Sequence, residues 1–353
     1  MDYRRLGRTD IEVSRVCLGT MTFGQQNTEA EAHEQLSLAF DQGVNFIDAA
    51  EMYPVPPKPE TQGLTERHIG SWLKATGLRD KLVIATKVVG AARDMKHIRG
   101  GTARLDRTNI RAAVEDSLAR LGTDRIDLYQ LHWPDRKTTT FGQTTYVHEV
   151  DPEEVPIETT LDALAELVEV GKIRAVGLSN ETPWGAMRFL ALAGERGLPR
   201  VASIQNAYNL VNRTFEQGLA EVALREDCGL LPYSPLGGGT LTGKYLNGAW
   251  PPGARMTLFT RFTRYNRPEA IEAIGRYVAL ARDHGLDPAQ MALAFVHRQP
   301  FVTSTIIGAT TTAQLKQDLA GFDLTLSDEV LTGIEAIHRA IPNPCPGGKA
   351  RPA

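Results

Sequence analysis

Eight short apolar runs alternate with stretches of helical length along this chain. The runs fall at 16–18, 46–48, 82–87, 126–132, 175–179, 203–206, 230–234 and 304–308. Helix-length amphipathic segments lie between them at 28–42, 64–76, 106–121, 157–170, 182–196, 214–227 and 288–299, and a last one follows at 311–320. Helix punctuation supports this reading: Thr65 stands at the opening of one segment and Gly122 at the close of another. A repeated βα unit predicts a parallel sheet with right-handed crossovers. Eight units are the number that closes a (β/α)8 TIM barrel. An open doubly wound sheet is the alternative.

Some stretches stand outside the repeat. Residues 3–13 predict a small N-terminal hairpin. Long irregular loops follow strand three (88–105), strand four (133–156) and strand seven (235–266), with an extra helix at 268–284. Residues 326–341 predict an appended C-terminal helix. Long loops in a compact domain are usually functional or disordered, and these lie on the face where barrel enzymes build their sites. Barrels of about 250 residues grow by loop insertion. The chain of 353 residues therefore reads as one domain over 1–340 and a loose tail over 341–353.

A net charge of −3 argues against a dedicated nucleic-acid partner. No apolar run approaches the ~18 residues of a membrane span, and the N-terminus has no signal-peptide core. Cys17, Cys228 and Cys345 are odd in number, far apart and without a CxxC pair. They read as free thiols in a reducing, cytoplasmic setting. No metal site stands out among the histidines.

Alternate residues of a strand share a face. Phe46 shares one with Asp48, Val83 and Ala85 with Lys87, and Leu128 and Gln130 with His132. Consecutive strands, ~4.8 Å apart, thus each end in an ionisable group on their apolar face. In a barrel, Asp48, Lys87 and His132 meet at one rim, and Tyr53 can fold back over them. Taken singly, each has a bland reading as a strand cap or a loop residue. Their order on consecutive strands favours a site.

At these residues the sequence resembles the aldo-keto reductases. "FIDAAEMY", "IATK" and "LYQLHWP" match the family's Asp, Tyr, Lys and His tetrad. "GLSN", "SIQNAYNL" and "YSPL" match its fifth, sixth and seventh strand ends. Within the family the likeness is strongest to bacterial Tas-type reductases and to potassium-channel β subunits. The resemblance implies NADPH-dependent reduction of a small-molecule carbonyl, with Tyr53 as proton donor. Lys87 would lower the Tyr53 pKa, Asp48 would hold Lys87 charged, and His132 would orient the carbonyl. It implies that Thr20 and Met21 join the cofactor set, that Ser179, Asn180 and Gln205 meet the carboxamide, and that Tyr233 stacks on the nicotinamide. Ser234, Pro235, Leu236, Gly238 and Lys244 would wrap the pyrophosphate. Arg255 would meet the 2′-phosphate, and Gly308, Thr310 and Gln314 the adenosine phosphate. Related members often carry Asn at the Asp318 position, which puts that adenine contact in doubt.

Two rival functions remain. One is a cofactor-sensing subunit, as the channel β subunits are, though those relatives typically lack His at position 132. The other is a lyase or isomerase using Lys87 as a Schiff base. Residues 238–244 fit the opening of a P-loop, but Tyr245 stands where its magnesium ligand belongs. No G-x-G-x-x-G follows a strand. The run Arg93, Lys96, Arg99, Arg104 and Arg107 is either a site for an acidic substrate or a solvated loop. Trp133 is either a pocket wall or ordinary packing.

Overall fold

The structure, a computed structural model, describes residues 1–91, 95–141, 143 and 145–345. A hairpin of β1 (Tyr3–Arg5) and β2 (Glu12–Ser14) precedes the parallel strands β3 (Val16–Gly19), β4 (Phe46–Asp48), β5 (Val83–Val88), β6 (Ile126–Leu131), β7 (Ile173–Ser179), β8 (Val201–Gln205) and β9 (Thr305–Ile307). The helices are α1 (Glu29–Asp41), α2 (Leu64–Thr76), α3 (Arg107–Leu121), α4 (Ile157–Glu169), α5 (Pro183–Arg196) and α6 (Leu219–Arg225). After them come α7 (Arg255–Leu258), α8 (Pro268–Asp283), α9 (Pro288–His297), α10 (Thr312–Ala320) and α11 (Asp328–Ala340).

The sheet runs β8-β7-β6-β5-β4-β3-β9, and segment 230–234 lies between its two ends. On one side Leu231 N donates to Ile204 O (2.8 Å) and Tyr233 N to Asn206 O (3.1 Å). On the other, Thr303 N donates to Leu230 O (2.9 Å) and Ile306 N to Pro232 O (3.1 Å). The ring closes, and the fold is the (β/α)8 barrel. Segment 230–234 pairs only through isolated bridges, where the sequence predicts a full strand. Pro232 has no N–H to give the ladder, and two steps along 230–232 face three along 303–306.

The barrel interior is apolar at its base. Cys17, Phe46, Val83, Ala85, Leu128, Ala175, Ala202, Leu231 and Ile306 pack there with Leu6, Ile11 and Val13 of the hairpin region, which plugs the lower end. A second, larger cluster lies between the strands and the helical ring. Each strand is therefore apolar on both faces, which is why the runs read as nearly unbroken. The upper end has no such plug, so polar side chains can collect there.

Several boundaries carry physical detail. Asp106 caps α3 by accepting from Asn109 N at 2.8 Å. Gly122 ends it in the left-handed conformation. Thr65 does not open α2; Gly63 does, with φ 80. The Thr65 hydroxyl instead donates to Phe23 O at 2.8 Å. The segment expected as one helix over 214–227 begins with a separate turn at Thr214–Glu216, and Gly218 (φ 100) breaks it from α6. The terminal segment, expected to be loose from 341, is held as far as Cys345. Cys345 N donates to Val211 O at 3.0 Å, and Arg213 N donates to Asn343 Oδ1 at 2.6 Å. Residues 346–353 of that expectation lie outside the described residues. The three cysteines are free and buried. Among the described residues, no helix is long and apolar enough to cross a membrane.

Gly70 sets how closely α2 approaches α3. A Cβ added there would sit 2.5 Å from Arg120 O and 2.8 Å from the Leu121 carbonyl carbon. Both are backbone atoms at the end of α3, so the helices would have to separate. Gly70→Ala should destabilise the protein by about 1–3 kcal/mol, despite the ~1 kcal/mol that alanine gains in helix propensity. Urea unfolding checks this; parental stability would show that α3 can retreat freely.

Candidate active site

Strand register brings the polar strand ends together. Asp48 pairs with Ala85, and Lys87 pairs with Gln130. Lys87 is fully buried and Asp48 nearly so. Lys87 Nζ lies 2.6 Å from Asp48 Oδ2 and 2.7 Å from Ala49 O. Asp48 Oδ1 accepts from Gln130 Nε2 and from Gln205 Nε2, each at 2.9 Å. Gln205 Nε2 also lies 2.9 Å from Gln130 Oε1. The carboxylate is thus held by donors from three other strands.

Above this pair, Lys87 Nζ reaches the Tyr53 hydroxyl at 3.5 Å. Burial alone would lower the Lys87 pKa, but Asp48 and Tyr53 raise it, and the net shift is upward. The Tyr53 phenol is also pushed up, first by burial, with Lys87 opposing and Asp48 reinforcing. This differs from the expected lowering, because burial, with Asp48 adding to it, outweighs the ammonium charge of Lys87. The phenol therefore keeps its proton. The Tyr53 and His132 rings meet edge-on at 5.7 Å. Burial, and then Lys87, hold the His132 pKa well below the usual range. The imidazole is neutral and has one N–H to donate. Its Nδ1 is buried and, among the described residues, has no hydrogen-bond partner.

These groups form the floor of a cleft of about 1990 Å³. Asp48, Tyr53 and His132 line it, while Lys87 lies behind them. The cleft is bordered by Thr20, Met21, Ser179, Asn180, Gln205, Tyr233, Ser234, Pro235, Leu236, Gly238, Lys244, Arg255, Gly308, Thr310, Gln314 and Asp318. Every sequence-predicted site residue except Lys87 therefore opens onto one cavity. In the middle, Ser179 Oγ donates to Gln205 O (2.8 Å), Asn180 Nδ2 to His132 O (2.9 Å), and the Tyr233 hydroxyl to Asn180 Oδ1 (2.7 Å). Asn180 and Ser234 take left-handed backbone angles, φ 53 and 54. Farther out, Gly237, Gly238 and Gly239 run at φ 57, 67 and 91, a path side chains rarely allow. Lys244 and Arg255 border this stretch, and among the described residues neither forms an ion pair with a carboxylate. Unpaired, half-buried cations beside a run of glycine amides suit a phosphate-bearing ligand. Among the described residues, no group of His, Cys, Asp and Glu could hold a metal.

A family model described as the aldo/keto reductase family matches residues 15–339. This chain belongs to that family. It is 57% identical to "Protein tas" of Escherichia coli (strain K12), over 98% of this chain and 100% of the relative. An "Aldo-keto reductase" of Babesia bovis is 41% identical over 68% of this chain and 88% of its own length. An "L-glyceraldehyde 3-phosphate reductase" of Escherichia coli (strain K12) is 31% identical over 95% and 92%.

Around the tetrad of this aldo-keto reductase stand residues that sequence reading passed over. Gln130 was visible as an amide on an inward strand face, but nothing in the sequence names its partner. Arg264 lines the cleft and reaches the Tyr233 and Tyr265 hydroxyls, which raise its pKa against burial. The run of basic residues after strand three is not a free patch. Arg99 binds Glu51 through two bonds of 2.6 and 2.9 Å. Arg104 binds Asp135, Asp151 and Glu153, and Arg107 binds Glu166. Lys96 is exposed, and Arg93 lies outside the described residues. Trp133 does line the cleft, with its indole N–H on Ala91 O at 3.3 Å.

Lys87→Met leaves Asp48 buried without its cation. It should cost about 3–5 kcal/mol of stability. Adding Asp48→Asn removes the orphaned charge and keeps an acceptor for the two glutamines, so the double variant should recover part of that loss. Denaturant midpoints of the two proteins test this. A double variant less stable than Lys87→Met would show that the pair does not act through its charge.

Proposed function

We propose that this protein reduces aldehydes or ketones to alcohols with NADPH, with Tyr53 as proton donor. The observation that carries the reading is the stack at the cleft floor: a buried Asp48–Lys87 pair beneath a protonated Tyr53, 3.5 Å from Lys87 Nζ, beside a neutral His132. The reduced nicotinamide, when bound, supplies a hydride to the carbonyl carbon. The chain does the rest. His132 donates its N–H to the carbonyl oxygen and fixes its direction. Tyr53 gives its proton to that oxygen as negative charge develops there. Lys87 stabilises the phenolate that remains, and Asp48 keeps Lys87 charged and fixed. Solvent then returns a proton to Tyr53.

Tyr233 would face the nicotinamide, with Ser179, Asn180 and Gln205 on its carboxamide and Thr20 and Met21 at its edge. Ser234 to Gly238 with Lys244 would follow the pyrophosphate. Gly308, Thr310 and Gln314 would hold the adenosine end. A reducing cytoplasmic setting suits the three free thiols and an NADPH supply.

Tyr53→Phe removes one hydroxyl and keeps the ring. NADPH affinity should stay near parental, while carbonyl reduction falls at least ~100-fold, in kcat and kcat/KM together. A parent that binds NADPH but is inactive across a broad carbonyl panel would favour a cofactor sensor instead. Arg255→Ala should weaken NADPH by about 1.5–3 kcal/mol, the range for hydrogen bonds to charged groups, and leave NADH nearly unchanged. Equal losses for both cofactors in binding titrations would remove Arg255 from the 2′-phosphate.

A further inference from the structure

Asp318 lies in the last turn of α10, on the cleft wall beside Thr310, Gln314 and Gln317. It is 6% exposed. Among the described residues, no hydrogen bond or ion pair reaches its carboxyl group. Three features of its surroundings disfavour a negative charge. The first is burial. The second is Asp287, whose Oδ1 caps α9 by accepting from Ala289 N (2.8 Å) and Gln290 N (3.1 Å). Asp287 Oδ2 accepts from Gln317 Nε2 (3.0 Å). The third is the C-terminal end of α10, where the helix dipole is negative. The charged groups facing Asp318 are Asp287, from the start of α9, and Lys244, from the loop after segment 230–234. Burial, and then Asp287, outweigh Lys244, and the carboxyl is pushed up to about 7.

We infer that Asp318 binds the adenine ring of the cofactor as a neutral acid, so that cofactor affinity falls as the group ionises. This rests on the reading that the cleft takes NADPH. A protonated carboxyl presents a donor and an acceptor side by side, as an amide does. Adenine presents the complement, a ring-nitrogen acceptor next to an exocyclic N–H donor. An ionised carboxylate offers only acceptors, so one bond is lost and two lone pairs oppose each other. It also adds a negative charge to a cleft that must take phosphates. The linkage has a definite sign. The complex holds the proton more tightly than the free protein does. Affinity is therefore full below the pKa of the free protein, and falls as pH rises through it.

The test is the NADPH dissociation constant of the full-length parent, Asp318→Asn and Asp318→Ala, measured by calorimetry at pH 6, 7 and 8. Asn carries the same donor and acceptor at every pH. Comparison with it cancels the titration of the ligand's own phosphate, near pH ~6. Relative to Asp318→Asn, the parent should bind comparably at pH 6 and about tenfold more weakly at pH 8. Asp318→Ala should bind about fivefold more weakly than Asn at pH 6. Ligand-free, the melting advantage of Asp318→Asn over the parent should grow as pH rises from about 4 to 7 and then level off, because in that window the folded parent holds a proton that the unfolded chain has released. A parent-to-Asn ratio constant from pH 6 to 8 would overturn the inference. So would Ala binding as tightly as Asn at pH 6, which would reduce Asp318 to a source of repulsion. A parent that fails to bind NADPH at every pH would overturn the cofactor reading first.

Discussion

An ammonium group sealed from water needs a countercharge within reach, and for Lys87 that group is Asp48. Two buried charges are costly to desolvate, and their attraction compensates only when the remaining hydrogen-bonding capacity is also filled. The barrel meets that condition by geometry. Asp48 and Lys87 sit on neighbouring strands, and Gln130 and Gln205 reach across from two more. The carboxylate is fixed by the ring itself rather than by a loop. Tyr53 and His132 stand over this arrangement, and their protonation states follow first from burial and then from its charges. One is a phenol that keeps its proton, the other an imidazole that stays neutral.

The cleft divides its charge unevenly. At the floor, opposite charges are buried and paired. Farther out, Lys244 and Arg255 lie half-buried, and among the described residues no carboxylate is bound to them. The glycine run 237–239 brings bare backbone between the two regions. A ligand that fits must therefore be anionic at one end and carry its reactive atom at the other. The arginines after strand three stand apart from this division. Each described one is tied to a carboxylate, and the ties hold the loops at the mouth of the cleft.

Period-two alternation made the strand ends legible, because an ionisable group on an apolar strand face has few structural explanations. That reasoning located Asp48, Lys87 and His132. It did not extend to partners far away in sequence. Glu51 for Arg99 and Asp135 for Arg104 are long-range pairings that no local pattern announces. The Tyr53 pKa was read from Lys87 alone, and the depth of burial and the nearness of Asp48 reversed its direction. Pro232 was in plain view, and its missing donor was reason enough to doubt a regular strand over 230–234. The last five described residues, with two prolines and an asparagine, look loose in sequence, yet Cys345 is fully buried.

The irregular pairing at 230–234 has a consequence for how such a barrel can change. Among the regularly paired strands β3 to β6, shifting a strand by one residue would turn every inward side chain outward. At Pro232 the ladder is already out of step, so no continuous register crosses that seam. The 235–266 stretch grows from this tolerant edge. It can be rebuilt, lengthened or exchanged without transmitting a shift to Asp48 and Lys87, which lie among regularly paired strands. Asp48 and Lys87 thus sit on the rigid arc of the ring, and the 235–266 stretch on the slack one.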